Sequence, residues 1–331
     1  MTDPDTTRSL DVEIVGPFGI RGSLNQAEAR IVAVEGLAVA HVELVATSRG
    51  GADLLANAMV VTPEGVEIRL PTMSEAIAEQ GLWRGLASGA SWGVRLEARV
   101  PAGSWLDLRS KVASLKTEGR FGSVSWGSSL GDVTIERTEF LRADIGMGTL
   151  KVGYCDAAEI SGGAGDIKIT EIGGSLAIDG GAGDVRVRTL RGTAAIATKI
   201  GSVTLDEVHV SGGTASGGAG AGGQAVDLRI SCTLGDIKIK ELVTGSAGLS
   251  TTMGDVKVGV ARESDLVAAD LLSRSGSAKC KVPIVPGPEV SGSGDAPAAW
   301  GTPPLGVRVR ATSNAGDITV RHSRRGKRDR A

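Results

Sequence analysis

Along most of the chain, apolar side chains come in pairs two residues apart, and five positions after each pair stands a glycine. The full pattern is apolar, any, apolar, four residues, Gly, commonly Asp or Ser, then apolar, any, apolar. It fits Leu141/Ala143/Gly148, Ala158/Ile160/Gly165, Leu176/Ile178/Gly183 and Ala194/Ile196/Gly201. It returns at Leu228/Ile230/Gly235, Ala247/Leu249/Gly254, Ala269/Leu271/Gly276 and Val309/Ala311/Gly316. Val124/Trp126/Gly131 joins them, and Leu115/Thr117/Gly122 is a degenerate first copy. Alternation of period two with one apolar side predicts half-buried β-strands. Glycine supplies positive φ, and the aspartate after it a side-chain acceptor, both suited to a tight turn. Each copy therefore reads as strand, turn, strand. The predicted structural turns are Gly131-Asp132, Gly165-Asp166, Gly183-Asp184, Gly235-Asp236, Gly254-Asp255 and Gly316-Asp317.

The glycine spacing selects the architecture. From Gly131 to Gly201 the intervals are 17, 17, 18 and 18 residues, then 34, 19, 22 and 40. A period near 18 is too short for a propeller blade of roughly 40 to 50 residues and suits one coil of a β-solenoid. The expected fold class is all-β: a β-solenoid of about ten coils over residues 101–320. The two long intervals contain the glycine- and proline-rich segments 211–224 and 282–304, which read as loops inserted between strands. Residues 1–100 carry longer strands with fewer glycines, broken by a short helical or lid-like segment, "SEAIAEQGLWRGL". They form a β-rich N-terminal section that caps the open strand edges of the first coil. In this reading Ile167, Ile169, Val185 and Val187 point inward, and Lys168 and Arg186 face water.

Composition supports thin layers closed by small aliphatic side chains: 41% of the residues are hydrophobic, 49 are glycine, and aromatics make up only 3%. Trp83, Trp92, Trp105 and Trp126 gather toward the N-terminal section and first coils and suit an aromatic plug. The net charge of −2 hides a basic tail at 321–331. Arg321, Arg324, Arg325, Lys327 and Arg328 there are candidate electrostatic contacts, although no neighbouring aromatic offers base stacking, so no specific nucleic acid is expected. Exposed Lys151, Lys168, Arg186, Lys238 and Lys257 form a second, periodic set of cations. Cys155, Cys232 and Cys280 are odd in number and far apart, which fits reduced thiols and no disulfide framework. No basic-then-apolar leader and no run of about 18 apolar residues occurs, so a cytoplasmic protein without a membrane span is expected.

Candidate chemistry is sparse. Calcium β-rolls use Gly-Gly-x-Gly-x-Asp, but here the order is Gly-Gly-Ala-Gly-Asp, once per coil, with Thr149, Ser202 or Ser277 replacing the acid in other copies. Gly218, Gly220 and Gly223 match a dinucleotide fingerprint formally, yet an alternating strand follows instead of the helix that fingerprint needs. His41, His209 and His322 are scattered, without a nucleophile or metal-ligand spacing. No catalytic residue, cofactor or metal is assigned.

The stretch "RVPAGSWLDLRSKVASLKTEG", followed by "GSVSWGSSLGDVTIERTEFLRADIGMGTLKVGYCDAAEISGGAGDIKITEI", resembles the bacterial "putative adhesin" family of β-strand repeat proteins, with N-terminal strands that suit actinobacterial members. The likeness covers about residues 95–320. It implies a β-solenoid without enzymatic activity, connected in some members with cell-surface adhesion. The functional expectation is a scaffold or interaction protein that binds a protein partner or self-assembles. The alternatives are a surface adhesin that binds glycan or peptide through its loops, and a β-helix enzyme acting on polysaccharide.

Overall fold

The computed structural model describes residues 7–14, 16–47, 55, 58–62, 64–70, 93–210, 227–262, 267–283 and 306–323. The segment 74–86, the loop 211–224, all but the start of 282–304, Trp83, Trp92, Arg324, Arg325, Lys327 and Arg328 lie outside the described residues. The fold is all-β and solenoid-like, and the chain divides into two compact units, residues 1–166 and 167–331.

In the first unit, β2 (Gly19–Val34) lies between β6 (Gly93–Pro101) and β7 (Trp105–Leu130), parallel to both. β1 (Thr7–Glu13) and β3 (Val39–Ala46) continue beyond β6 as antiparallel neighbours, β3 pairing with both β1 and β6. β4 (Met59–Thr62) turns back on β5 (Gly65–Arg69), which pairs with the start of β2. From β7 onward the stacking is regular: β8 (Val133–Met147) and then β9 (Leu150–Ala164) follow in parallel register. The core is a column of aliphatics, with Leu115, Val133 and Leu150 aligned and each at most 2% exposed. Trp126 is buried in this core, whereas the half-buried Trp105 lays its ring over Gly19, where a Cβ would collide with it. These two tryptophans therefore have separate packing roles.

The second unit has two sides per coil. One side stacks the start of β10 (Ile167–Ala182), then β11 (Val185–Arg191), β13 (Val203–His209), the start of β15 (Ile237–Met253) and β16 (Val256–Val260). The other stacks the end of β10, then β12 (Thr193–Ile200), β14 (Leu228–Leu234) and the end of β15. Ile169, Val187, Leu205, Ile239 and Val258 line the interior in register, none more than 3% exposed, while Lys168 and Arg186 face out. Burying each such aliphatic contributes about 1.5–3 kcal/mol, so the ladder holds the coils together.

The last coils do not stack in chain order. β19 (Val307–Ala315) lies between the end of β15 and β17 (Val267–Ser275), and β20 (Ile318–His322) lies between β16 and β18 (Ala278–Cys280). The C-terminal coil is thus inserted beneath the coil that precedes it in sequence. Simple sequential stacking, which the glycine spacing suggested, fails here. The two inner sets differ most between β20 and β18, where Ile318 and Val320 stand opposite Ala278 and Cys280, while on β19 and β17 Val309 opposite Ala269 is balanced by Ala311 opposite Leu271. Val309, Ile318 and Val320 are 0% exposed in the covered layer, whereas Ala269, Ala278 and Cys280 remain half-buried or exposed at the edge. Arg310 Nε, 3.2 Å from Asp270 Oδ2, adds an exposed tie between β19 and β17.

Corner glycines carry the stacking from coil to coil. Gly131, Gly165, Gly183, Gly235, Gly254 and Gly316 have φ between 137° and 149°. A Cβ at Gly254 would run into the carbonyl of Gly235, and one at Gly316 into that of Gly254. Gly131, Gly165, Gly235, Gly254 and Gly316 are therefore glycine for two reasons, the positive φ and the carbonyl directly beneath.

Candidate functional site

The turn aspartates reach between coils. Thr149 N–H donates to Asp132 Oδ1 at 2.8 Å, Ser202 N–H to Asp184 at 2.8 Å, and Asp255 N–H to Asp236 at 2.8 Å. The series continues where Asp317 N–H donates to Asp255 at 3.0 Å and Ser277 N–H to Asp317 at 2.8 Å, following the inserted order of the last coils. Asp166 is partnered as well. Asp132, Asp184, Asp236, Asp255 and Asp317 accept a backbone donor from the next coil, where sequence reasoning placed the bond inside each turn. Hydrogen bonding from Lys257 and then from Asp317 N–H holds Asp255 below the ordinary carboxylate value, and bonding from Ser277 does the same for Asp317. Lys257 is raised in turn by the Asp255 carboxylate, 2.8 Å away.

A different chemistry appears farther along the same side of the coil. Ile239 faces Val258 and Leu242 faces Val260, so Lys240 and Glu241 together oppose the single residue Gly259. This is a β-bulge, which kinks a strand and re-aims its side chains. The bulged strand runs so close that a Cβ at Gly259 would strike the Lys240 carbonyl oxygen. The Lys240 carbonyl thus takes the place of a side chain at 259, and a notch lined by Gly259 lies between Lys240 on one neighbouring strand and Arg321, the direct partner of Gly259, on the other.

Cations ring this notch. Lys238 and Lys257 are neighbours in register, and with Asp206, Lys240, Gly259, Arg321, His322 and Ser323 they line a cavity of about 600 Å³. Asp206, only 7% exposed, sets the geometry of one wall. Lys240 Nζ lies 2.6 Å from its Oδ1, and the Arg186 guanidinium 3.3 Å from its Oδ2. Burial by itself would raise the Asp206 carboxyl, but the Lys240 and Arg186 contacts outweigh it and hold the group below its ordinary value. Lys240 and Lys257 are thus paired with carboxylates. Among the described residues Lys238 and Arg321 have no ion-pair partner.

Of the tail residues singled out from the sequence, Arg321 lines the cavity and the others lie outside the described residues. In the periodic cation set, Lys168 pairs in register with Arg186 and Lys238 with Lys257, with Thr204 between the two pairs, while Lys151 belongs to the first unit. Sequence reasoning missed the notch. One signal was available: "VKVGV" has glycine where "VRVRT", "VTLDE" and "IKIKE" have Arg188, Asp206 and Lys240. Arg321 was not placeable, because it reaches the notch only through the inserted coil. The first unit has exposed cation–aromatic pairs, with the Arg21 guanidinium 5.3 Å from the Trp105 ring centre and that of Arg137 4.6 Å from the Tyr154 ring centre. Among the described residues no three His, Cys, Asp or Glu side chains come together as metal ligands, and no helix is long and apolar enough to cross a membrane.

The family model Toastrack DUF4097 matches residues 84–321, well over half of the chain. The chain belongs to the Toastrack DUF4097 family. Among solved structures, this Toastrack protein is similar to one described as a "putative adhesin" from Bacteroides fragilis NCTC 9343, at 8% identity and TM-score 0.33, over 95% of this chain and 96% of that one. A "putative adhesin" from Parabacteroides distasonis ATCC 8503 matches at 10% identity and TM-score 0.34, again over 95% and 96%. A "putative lipid binding protein" from the same strain matches at 10% identity and TM-score 0.38, over 96% and 97%. No curated protein matches the chain.

Proposed function

We propose that this Toastrack protein is a non-catalytic β-solenoid scaffold of about ten coils with an adhesin-like binding role, whose coil corners dock a protein partner or a second copy of the chain. The observation that carries this reading is an apolar stripe on the second unit. Ile200, Leu234 and Met253 stand in register just before the corner glycines, 54%, 39% and 53% exposed, beside the carboxylates of Asp236 and Asp255. Contiguous exposed aliphatics with a polar rim mark interaction surfaces more often than accidents of folding. Burial pushes the Cys155 thiol up to about 12, away from the thiolate that a nucleophile needs, which supports a non-catalytic role for it. Light scattering and sedimentation across a concentration series, with affinity capture of partners, test the proposal on the wild type and on a Leu234→Lys/Met253→Lys variant. Association lost in the variant supports the corner surface, and identical association in both proteins refutes it.

A second reading, a surface adhesin that binds glycan, is favoured by the Arg21–Trp105 and Arg137–Tyr154 pairs and by Phe140, 39% exposed on the first unit. Sugar faces stack on such aromatics, so a glycan array read with wild type and Tyr154→Ala separates it from the first. Retention that survives Tyr154→Ala, or no retention at all, rules against it.

A further inference from the structure

We propose that the notch over Gly259 is a binding site for a phosphate or sulfate group, carried by a small soluble ligand or by a lipid headgroup, and held by Arg321, Lys257 and Lys238.

The first support is charge. Lys238, Lys240, Lys257 and Arg321 face one carboxylate, Asp206, across a single cavity, in a chain whose net charge is −2. Lys238 and Lys257 are neighbours on adjacent strands, about 4.8 Å apart at the backbone, and like charges at that separation are destabilising. Asp255 is ion-paired with Lys257, but among the described residues Lys238 and Arg321 have no ion-pair partner. A bound oxyanion would relieve this repulsion and accept hydrogen bonds from all three groups. The arginine contributes a planar fork that matches two oxygens of a phosphate or sulfate, and the lysines contribute point charges.

The second support is shape. Gly259 carries no side chain between the bulge at Lys240 and Glu241 and its partner Arg321, and the cavity lies over this bare stretch of backbone. The cavity volume of about 600 Å³ lies within the roughly 300–1,000 Å³ range of small-ligand sites. Its floor is a hydrogen-bonded parallel sheet, and the pairing of Lys240 and Arg186 to buried Asp206 fixes one wall before any ligand arrives. Preorganisation of that kind lowers the entropic cost of binding. The inserted C-terminal coil is part of the site, since it brings Arg321 beside Gly259. This site is separate from the apolar corner stripe, so either proposal can fail without the other.

The test is isothermal titration of the full chain with inorganic phosphate, pyrophosphate and sulfate at fixed ionic strength, together with co-sedimentation on phosphatidylcholine vesicles with and without phosphatidic acid. Saturable binding is expected for at least one probe. Lys238→Gln and Arg321→Gln should each weaken it about tenfold or more, as loss of a hydrogen bond to a charged group does. Lys238→Arg should retain it. Lys151→Gln, the same charge change in the first unit, should leave it unchanged. Binding to soluble anions alone assigns a free ligand, and binding only to phosphatidic acid vesicles assigns a headgroup. Thermal melts of each variant check that these exposed substitutions leave the fold intact. Absence of saturable binding to every probe overturns the proposal, as does equal weakening by Lys151→Gln, which would reduce the effect to overall charge.

Discussion

Replacing Gly254 by alanine should destabilise the second unit's stack at its corner. The new Cβ would sit 2.6 Å from the carbonyl carbon of Gly235 and closer still to its oxygen. Ordinary contact needs about 3.5 Å, so the neighbouring corner has to retreat by about 1 Å. It has little room to do so, because Gly235 rests against Gly201 in the same way. The residue's φ of 143° adds the cost of a conformation that side chains rarely adopt, about 1–3 kcal/mol, and the overpacking costs about 1–3 kcal/mol more. A total near 4 kcal/mol is a large part of the roughly 5–15 kcal/mol that holds a domain together. In urea, with a slope near 3 kcal/mol per molar, the midpoint should fall by about 1 M. Gly180→Ala is the control. Its Cβ would meet nothing nearer than the Thr198 methyl at 3.4 Å, so the substitution should leave the midpoint in place or raise it slightly. Equal losses in the two variants would refute the stacked-corner account, since alanine at any glycine would then be equally harmful.

Three further outcomes follow from the same packing. Ile169→Asp buries an unpaired charge at a position 3% exposed and should abolish cooperative unfolding, while Lys168→Glu on the outer face should shift the melting temperature only slightly. Asp255, Asp317 and Asp206 all have lowered folded-state pKa values, so the stability they contribute is complete above the ordinary carboxylate range and is lost as pH falls below about 4. Acid titration monitored by circular dichroism should show this loss, and Asp255→Asn should flatten it. With the Cys155 thiol pushed up to about 12, a thiol reagent at pH 8 should modify the less buried Cys280 first and reach Cys155 only on unfolding.

The fold was legible in the sequence where it depends on local chemistry. Period-two alternation assigned Ile169 and Val187 to the interior, and the recurring glycine disclosed a coil of constant length, because both are set within one repeat. What was not legible is set between repeats. Nothing local in "VRVRATSNAGDITV" says that this segment stacks on Gly254 ahead of the copy containing Gly276. That choice is a competition between two segments for one covered layer, in which Ile318 and Val320 bury more apolar surface than Ala278 and Cys280 would. The candidate site was hidden for the same reason. Lys238, Lys257 and Gly259 are visible as a pattern, but their convergence with Arg321 depends on which coil lies next to β16.

That order of strands is therefore the central claim, and pairs of engineered cysteines test it most directly. Lys257 and Thr319 are direct partners on β16 and β20, and Lys279 is the partner of Thr319 on the far side. Adjacent strands lie about 4.8 Å apart, within the range a disulfide spans, and strands two layers apart lie at about 9.6 Å, beyond it. In a Cys280→Ser background, Lys257→Cys with Thr319→Cys should oxidise readily to an intramolecular disulfide in the folded protein, and Lys257→Cys with Lys279→Cys should not. The reverse result would place β18 against β16, return the coils to chain order, and remove Arg321 from the notch.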